Sequence, residues 1–364
     1  LEERVRRFRS DRGPRAEEAR RMAARWADLA GRATGDDFAG GLSDCGRILA
    51  LAYPDRVAEA RGAPGAFRLA NGRGARLEAF EALAREPYLA VAEMQGAARE
   101  ARILLAAALP LAAIEADFAA HVVEEAEVRF DEAAGRVKAR RIRRLGRVVL
   151  SEKPIEKPDP DLVARALMGA VRAKGLASLP WSKGAERLRH RIDWVRRAGF
   201  DALPDVSEAA LLAGLEDWLA PQVIGRTSPA DIRDGDVAAG LDGLLDWEGK
   251  RLLEREAPTH FTAPTGSNVA IDYEAENGPA IAIRVQELFG LDRHPSICDG
   301  RVALTVELLS PAHRPIQVTR DLPGFWRGSW REVKVEMKGR YPRHVWPDDP
   351  ASAAPTTRAK PRGT

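Results

Sequence analysis

Arg136-Val137-Lys138-Ala139-Arg140-Arg141-Ile142-Arg143-Arg144-Leu145-Gly146-Arg147 holds seven basic residues and no acid, and the fold turns on how it is read. Side chains alternate across a strand, so Arg136, Lys138 and Arg140 share one face while Val137 and Ala139 take the other. The alternation slips at Arg140-Arg141, where a bulge is expected; beyond it Arg141 and Arg143 oppose Ile142. A basic sheet face is a track for phosphates, because a planar guanidinium holds two phosphate oxygens at once and also stacks on bases. The alternative is a solvated edge strand whose charges block aggregation. Internal ion pairs would remove the track.

Around this strand lie others. Phe67-Arg68-Leu69-Ala70, Tyr88 to Ala92 and Arg102 to Leu105 are short apolar runs, with the turn Asn71-Gly72-Arg73-Gly74 after the first. Val128-Arg129-Phe130 pairs with the arginine strand across Asp131 to Gly135, and Val148-Val149-Leu150 closes the stretch. With a helix after Pro110, residues 62–150 predict a small closed barrel of the oligonucleotide-binding type.

The rest of the chain is organised around this unit. Residues 1–61 are helical, with a basic side from Val5 to Leu29, a break at Gly31 to Asp37 and a resumption at Leu42. Residues 151–161, rich in Pro, Lys and Glu, read as a linker. Helical periodicity at Leu162–Lys174, Ala185–Arg197, Glu208–Leu219 and Val237–Leu253 makes 162–255 a helical domain. Strands at Val269–Tyr273, Ala280–Val285, Val302–Leu308 and Ile316–Thr319, followed by a helix from about Gly324 to Met337, make 256–346 an α+β domain. The tail 347–364 is expected to be disordered. The fold class is α+β, in several domains.

Composition limits the function. The chain has 364 residues, 45% hydrophobic and 30% charged, enough for several modules, and its net charge of +3 leans only slightly toward polyanions. Two cysteines, Cys45 and Cys298, exclude a disulfide framework or a cysteine-rich zinc site, which suits a reducing cytoplasm. The most apolar stretch, Ile103–Ile114, is too short to cross a bilayer and is broken by Pro110, so no membrane role is expected. Leu1 opens directly on a charged helical pattern without a signal peptide, which reads as a cut through a longer protein.

A second basic set lies near the end. On one helix, Trp326, Trp330, Val333 and Met337 would stack on one face, with Arg327, Arg331, Lys334 and Lys338 on the adjoining one. The tryptophans read first as core and otherwise as a partly exposed partner surface. Arg340 to Pro347 interleaves aromatic and basic groups and reads first as a strap over that helix.

Catalytic templates are missing. No Gly-rich loop ending in Gly-Lys-Ser/Thr is present to cradle nucleotide phosphates, and Pro264-Thr265-Gly266-Ser267 precedes a strand, where a turn is expected. His121, His190, His260, His294, His313 and His344 lack metal-ligand spacing, and Asp272 with Glu287 lacks the neighbouring lysine of a metal-dependent nuclease. No catalytic, cofactor or metal residue is assigned.

Gly46 to Arg56, Phe67 to Ala75, Leu179-Pro180-Trp181-Ser182, Leu215 to Pro221 and Ala257 to Phe261 resemble bacterial helicases of the HrpB type, in the DEAH-box group. The likeness is densest in Arg284 to Gly290 and from Leu308 through Asp349. It implies that the opening helices end a ratchet-like helicase-associated region and that Arg136–Arg147 lies in an oligonucleotide-binding fold beside a single-stranded nucleic-acid tunnel. It also implies RecA-like motor domains of the same protein that bind ATP and magnesium, neither of which this stretch can hold. The expected partners are single-stranded RNA or DNA, those motor domains and a possible protein partner.

Overall fold

The computed structural model describes residues 1–34, 44–96 and 100–358. The later part of the Gly31–Asp37 break, the expected restart at Leu42 and the last six residues of the tail lie outside them. The chain divides into two units, residues 1–128 with 138–158, and residues 129–137 with 159–364.

The first unit opens with α1 (Glu2–Ser10), α2 (Pro14–Thr34) and α3 (Cys45–Ala52). Five strands follow: β1 (Val57–Ala60), β2 (Ala66–Leu69), β3 (Gly74–Arg76), β4 (Tyr88–Gln95) and β5 (Glu100–Ala108). They close a barrel in the order β1-β2-β3-β5-β4, with β1 pairing back to β4. Period-2 alternation turns Ala58, Phe67, Leu69, Ala75, Leu77, Leu89, Val91 and Ile103 inward as one core. The β2–β3 turn is the one expected at Asn71-Gly72, with Gly72 at φ 89° and the Asn71 side chain accepting from the Arg73 N–H at 3.0 Å. The barrel thus begins before residue 62 and ends near 108. α3, expected to belong with the opening helices, packs on it through Ala50.

α4 (Leu111–Asp117) seats Ile114 against Val57, Ala90, Leu145 and Val148. Arg47 on α3 grips Asp117 with two hydrogen bonds, at 2.5 and 2.6 Å, which hold that carboxyl below the usual carboxylate range.

The arginine strand is not part of the barrel. β6 (Val122–Asp131), β7 (Arg136–Leu145) and β8 (Val148–Pro154) form a separate three-stranded sheet in chain order, because consecutive hairpins satisfy their hydrogen bonds locally. Against β8, the bulge expected at Arg140-Arg141 is not seen. Register between β7 and β8 runs unbroken from Arg140 to Arg143 and shifts between Arg143 and Arg144, so Leu150 is the extra residue, on β8. Of the expected linker, residues 151–154 are strand and Asp159 caps the next helix, its side chain accepting from the Asp161 N–H.

The second unit contains α5 (Pro160–Lys174), α6 (Lys183–Arg197), α7 (Glu208–Ala213), α8 (Leu215–Trp218), α9 (Asp234–Gly243) and α10 (Trp247–Glu256). Leu167, Met168, Ile192, Val195, Leu215, Trp218 and Leu241 are buried in it. The periodicity over Val237–Leu253 conceals two helices, since Asp246 accepts from the Gly249 N–H at 2.7 Å and starts α10. Gly214 likewise separates α7 from α8.

The α+β part holds β9 (His260–Thr262), β10 (Asn268–Ala270), β11 (Ala280–Arg284), β12 (Ser296–Ile297), β13 (Val302–Ala303), β14 (Thr305–Leu309) and β15 (Pro315–Thr319). It ends with α11 (Leu322–Arg327) and α12 (Trp330–Arg340). β14 is central, parallel to β11 and antiparallel to β15. The single helix expected from Gly324 to Met337 is broken because Gly328, at φ −104° and ψ −98°, leaves the helical region. The tail expected to be disordered is in place as far as residue 358. Pro350 accepts from the Gly290 N–H at 2.9 Å, and the Thr356 N–H donates to Gln286 at 3.0 Å.

Candidate nucleic-acid interface

Of the expected track, Arg136, Lys138, Arg141 and Arg147 are exposed, whereas Arg140, Arg143 and Arg144 are half-buried. The strand carries no acid of its own, but its neighbours supply them. Arg140 lies 3.0 Å from Glu127 of β6 and 2.6 Å from Glu152 of β8. Arg141 lies 3.5 Å from Glu124, which is also 4.0 Å from Arg143. Arg143 reaches Glu115 of α4 at 2.5 Å, and Arg144 reaches Glu125 at 2.9 Å. The middle of the run is therefore a ladder of ion pairs rather than an open cationic track. Lys138 also has a partner, whereas Arg136 and Arg147 have no ion pair among the described residues.

The second basic set is divided in the same way. Arg327, Arg331 and Lys338 are exposed without an ion pair among the described residues, whereas Lys334 is held by Asp348. The neighbouring tryptophans are core. Trp326 and Trp330 are 7% and 2% exposed, their rings 5.5 Å apart, and the Trp330 Nε1–H donates to Pro347 at 3.0 Å. Trp346 packs 6.0 Å from Trp330, so Arg340 to Pro347 is a strap over α12.

Sequence reasoning missed a basic set on the outer face of the barrel. Register places Arg76 of β3 opposite Arg102 of β5, and Arg68 of β2, half-buried and paired with Glu59 of β1, opposite Gly74. Arg76 is exposed and the Arg102 side chain is 67% exposed, 3.5 Å from Glu78. The signal was the alternation Phe67-Arg68-Leu69 and Ala75-Arg76-Leu77, in which each arginine sits between two inward apolar residues.

Pro264 to Ser267 is a turn, closed by the Gly266 N–H donating to Ala263 at 2.8 Å. Burial would raise the Glu287 carboxyl, but hydrogen bonds from Ser267, Arg284 and Thr265 outweigh it and hold it below its ordinary value as a structural anchor. No group of three or more metal-ligating side chains occurs among the described residues. No described helix is long and apolar enough to cross a membrane.

Two family models match the sequence of these regions. Residues 121–155, the β6-β7-β8 sheet, match "ATP-dependent RNA helicase HrpB, connector region", and residues 218–350 match "ATP-dependent helicase C-terminal". Both matched regions are of the class found in ATP-dependent helicases, on the C-terminal side. The ATP-dependent RNA helicase HrpB of Escherichia coli (strain K12) is 45% identical over 319 residues, which are 86% of this chain and 39% of that protein. The crystal structure of the E. coli DExH-box NTPase HrpB matches with a TM-score of 0.54 and 44% identity, again over 86% of this chain and 39% of that one. The chain thus carries a connector region and a C-terminal region of the HrpB type, and it spans about two fifths of the length of the relatives it matches.

Proposed function

We propose that this chain is the accessory nucleic-acid-binding region of an ATP-dependent helicase, holding single-stranded RNA or DNA while RecA-like motor domains of the same protein, in the cytoplasm, consume ATP with magnesium. The observation that carries this reading is the closed five-stranded barrel with β1 paired to β4, the strand plan of oligonucleotide-binding barrels, bearing arginines on its outer face. Phosphate contacts release counterions, so affinity for a fluorescein-labelled oligouridine should fall steeply with salt. RNA comes first because the curated relative is described as an RNA helicase. Anisotropy titrations at several salt concentrations test the reading, with Arg76→Glu/Arg102→Glu expected to weaken binding. Undetectable or salt-independent binding would end it.

The competing reading, a terminal module that recruits a protein partner through partly exposed Trp326 and Trp330, loses its ground because both are buried.

A further inference from the structure

Arg141 and Arg143 are two apart on β7, where the register is unbroken, so their side chains leave the same face. One carboxylate serves both. Glu124 of β6 stands 3.5 Å from the Nε of Arg141 and 4.0 Å from that of Arg143. These are loose distances for a charged hydrogen bond. Arg143 has its close partner elsewhere, in Glu115, whereas Glu124 is the carboxylate that reaches Arg141. The Arg141 and Glu124 side chains are 61% and 50% exposed, so the pair exchanges with solvent without unfolding the sheet.

We propose that the space between Arg141 and Arg143 is a phosphate seat, and that Glu124 occupies it in the free chain as a built-in competitor. The inference rests on the nucleic-acid reading above and names the residue that sets how strongly this strand takes part. A nucleic-acid phosphate, like a carboxylate, spreads one charge over two oxygens that fit a guanidinium fork, but it is not tethered to β6 and can close on both arginines, where Glu124 stays at 3.5 and 4.0 Å. It also arrives as part of a polymer whose binding releases counterions, an entropy that Glu124 does not supply. Glu124 therefore lowers the affinity of the chain without closing the seat.

The test is Glu124→Gln, which keeps shape and removes charge, in the same anisotropy titration. Affinity for the labelled oligouridine should rise several-fold, and the slope of log affinity against log salt should steepen by about 0.7 for the phosphate contact recruited. Adding Arg141→Gln should reverse both gains, and Glu132→Gln, in the hairpin turn after β6, should change neither. The arginine Nε–H resonances of the wild-type chain give a second readout, since that of Arg141 should move on adding the oligonucleotide. No gain from Glu124→Gln and no movement of Arg141, with Arg76→Glu/Arg102→Glu still weakening binding, would overturn this inference and leave the reading above intact. Failure of every form of the chain to bind would overturn both.

Discussion

The ring of His294 fastens the start of α11 to the residue between β13 and β14: its Nδ1 accepts from the Leu322 N–H at 3.0 Å, while its Nε2–H donates to the Leu304 carbonyl at 2.6 Å. Both bonds together require the neutral ring. Burial pushes the pKa of His294 below the ordinary histidine value, and Arg320 pushes the same way, against the pull of the Leu304 carbonyl and Asp321.

A pH dependence follows. The folded state binds this proton less readily than the unfolded chain, so the stabilisation is complete above the unfolded value of about 6.5 and is lost as pH falls through the lower folded value. His344, also held down by burial with Arg284 and Arg343 nearby, acts in the same direction. Calorimetry of wild type and His294→Gln should show the wild type losing more Tm on acidification, with the neutral-pH gap on the order of 1 kcal/mol. Parallel curves would contradict this role for the ring.

Trp330 anchors the terminal domain. Phe289, Phe325, Trp326 and Trp346 surround it at ring distances of 5.6, 6.1, 5.5 and 6.0 Å. Trp330→Ala should cost about 3–5 kcal/mol in urea unfolding. Because its Nε1–H also holds Pro347, the same variant should become sensitive to limited proteolysis after Trp346.

Gly46 marks the closest approach of α3 to the barrel. A Cβ there would lie 1.9 Å from the Ala108 carbonyl oxygen, a backbone atom of β5 that cannot swing aside. Gly46→Ala should destabilise the chain by about 1–3 kcal/mol, despite its better helix propensity. A neutral or stabilising result in thermal unfolding would mean that α3 does not sit there.

The two cysteines should react at different rates. Burial, reinforced by Glu256, pushes the Cys298 thiol up to about 11, and the side chain is 1% exposed. Cys45 is only partly covered. Iodoacetamide followed by peptide mass mapping should label Cys45 first in the folded chain, with Cys298 labelled only after denaturation.

What the sequence determined by itself is local. The β2–β3 turn follows from Asn71-Gly72 and the strands from their alternation, because dihedral preference and side-chain period act over a few residues, while the burial of Trp326 and Trp330 follows from their large apolar surface and not from the helical spacing, which Gly328 breaks. The family was legible for a different reason: its densest likeness, Arg284 to Gly290 and Leu308 to Asp349, lies in segments that pack together in the terminal domain. Only tertiary structure decided which sheet β7 joins and what its arginines face. An acid-free strand looks cationic when read along the chain, yet Glu115, Glu124, Glu125, Glu127 and Glu152 reach it from α4, β6 and β8. Charge is screened or paired across space, and strand pairing brings residues together from sequence separations over which no local pattern extends. The outer arginines of the barrel were hidden for the same reason, since Arg76 and Arg102 become neighbours only when β3 and β5 pair.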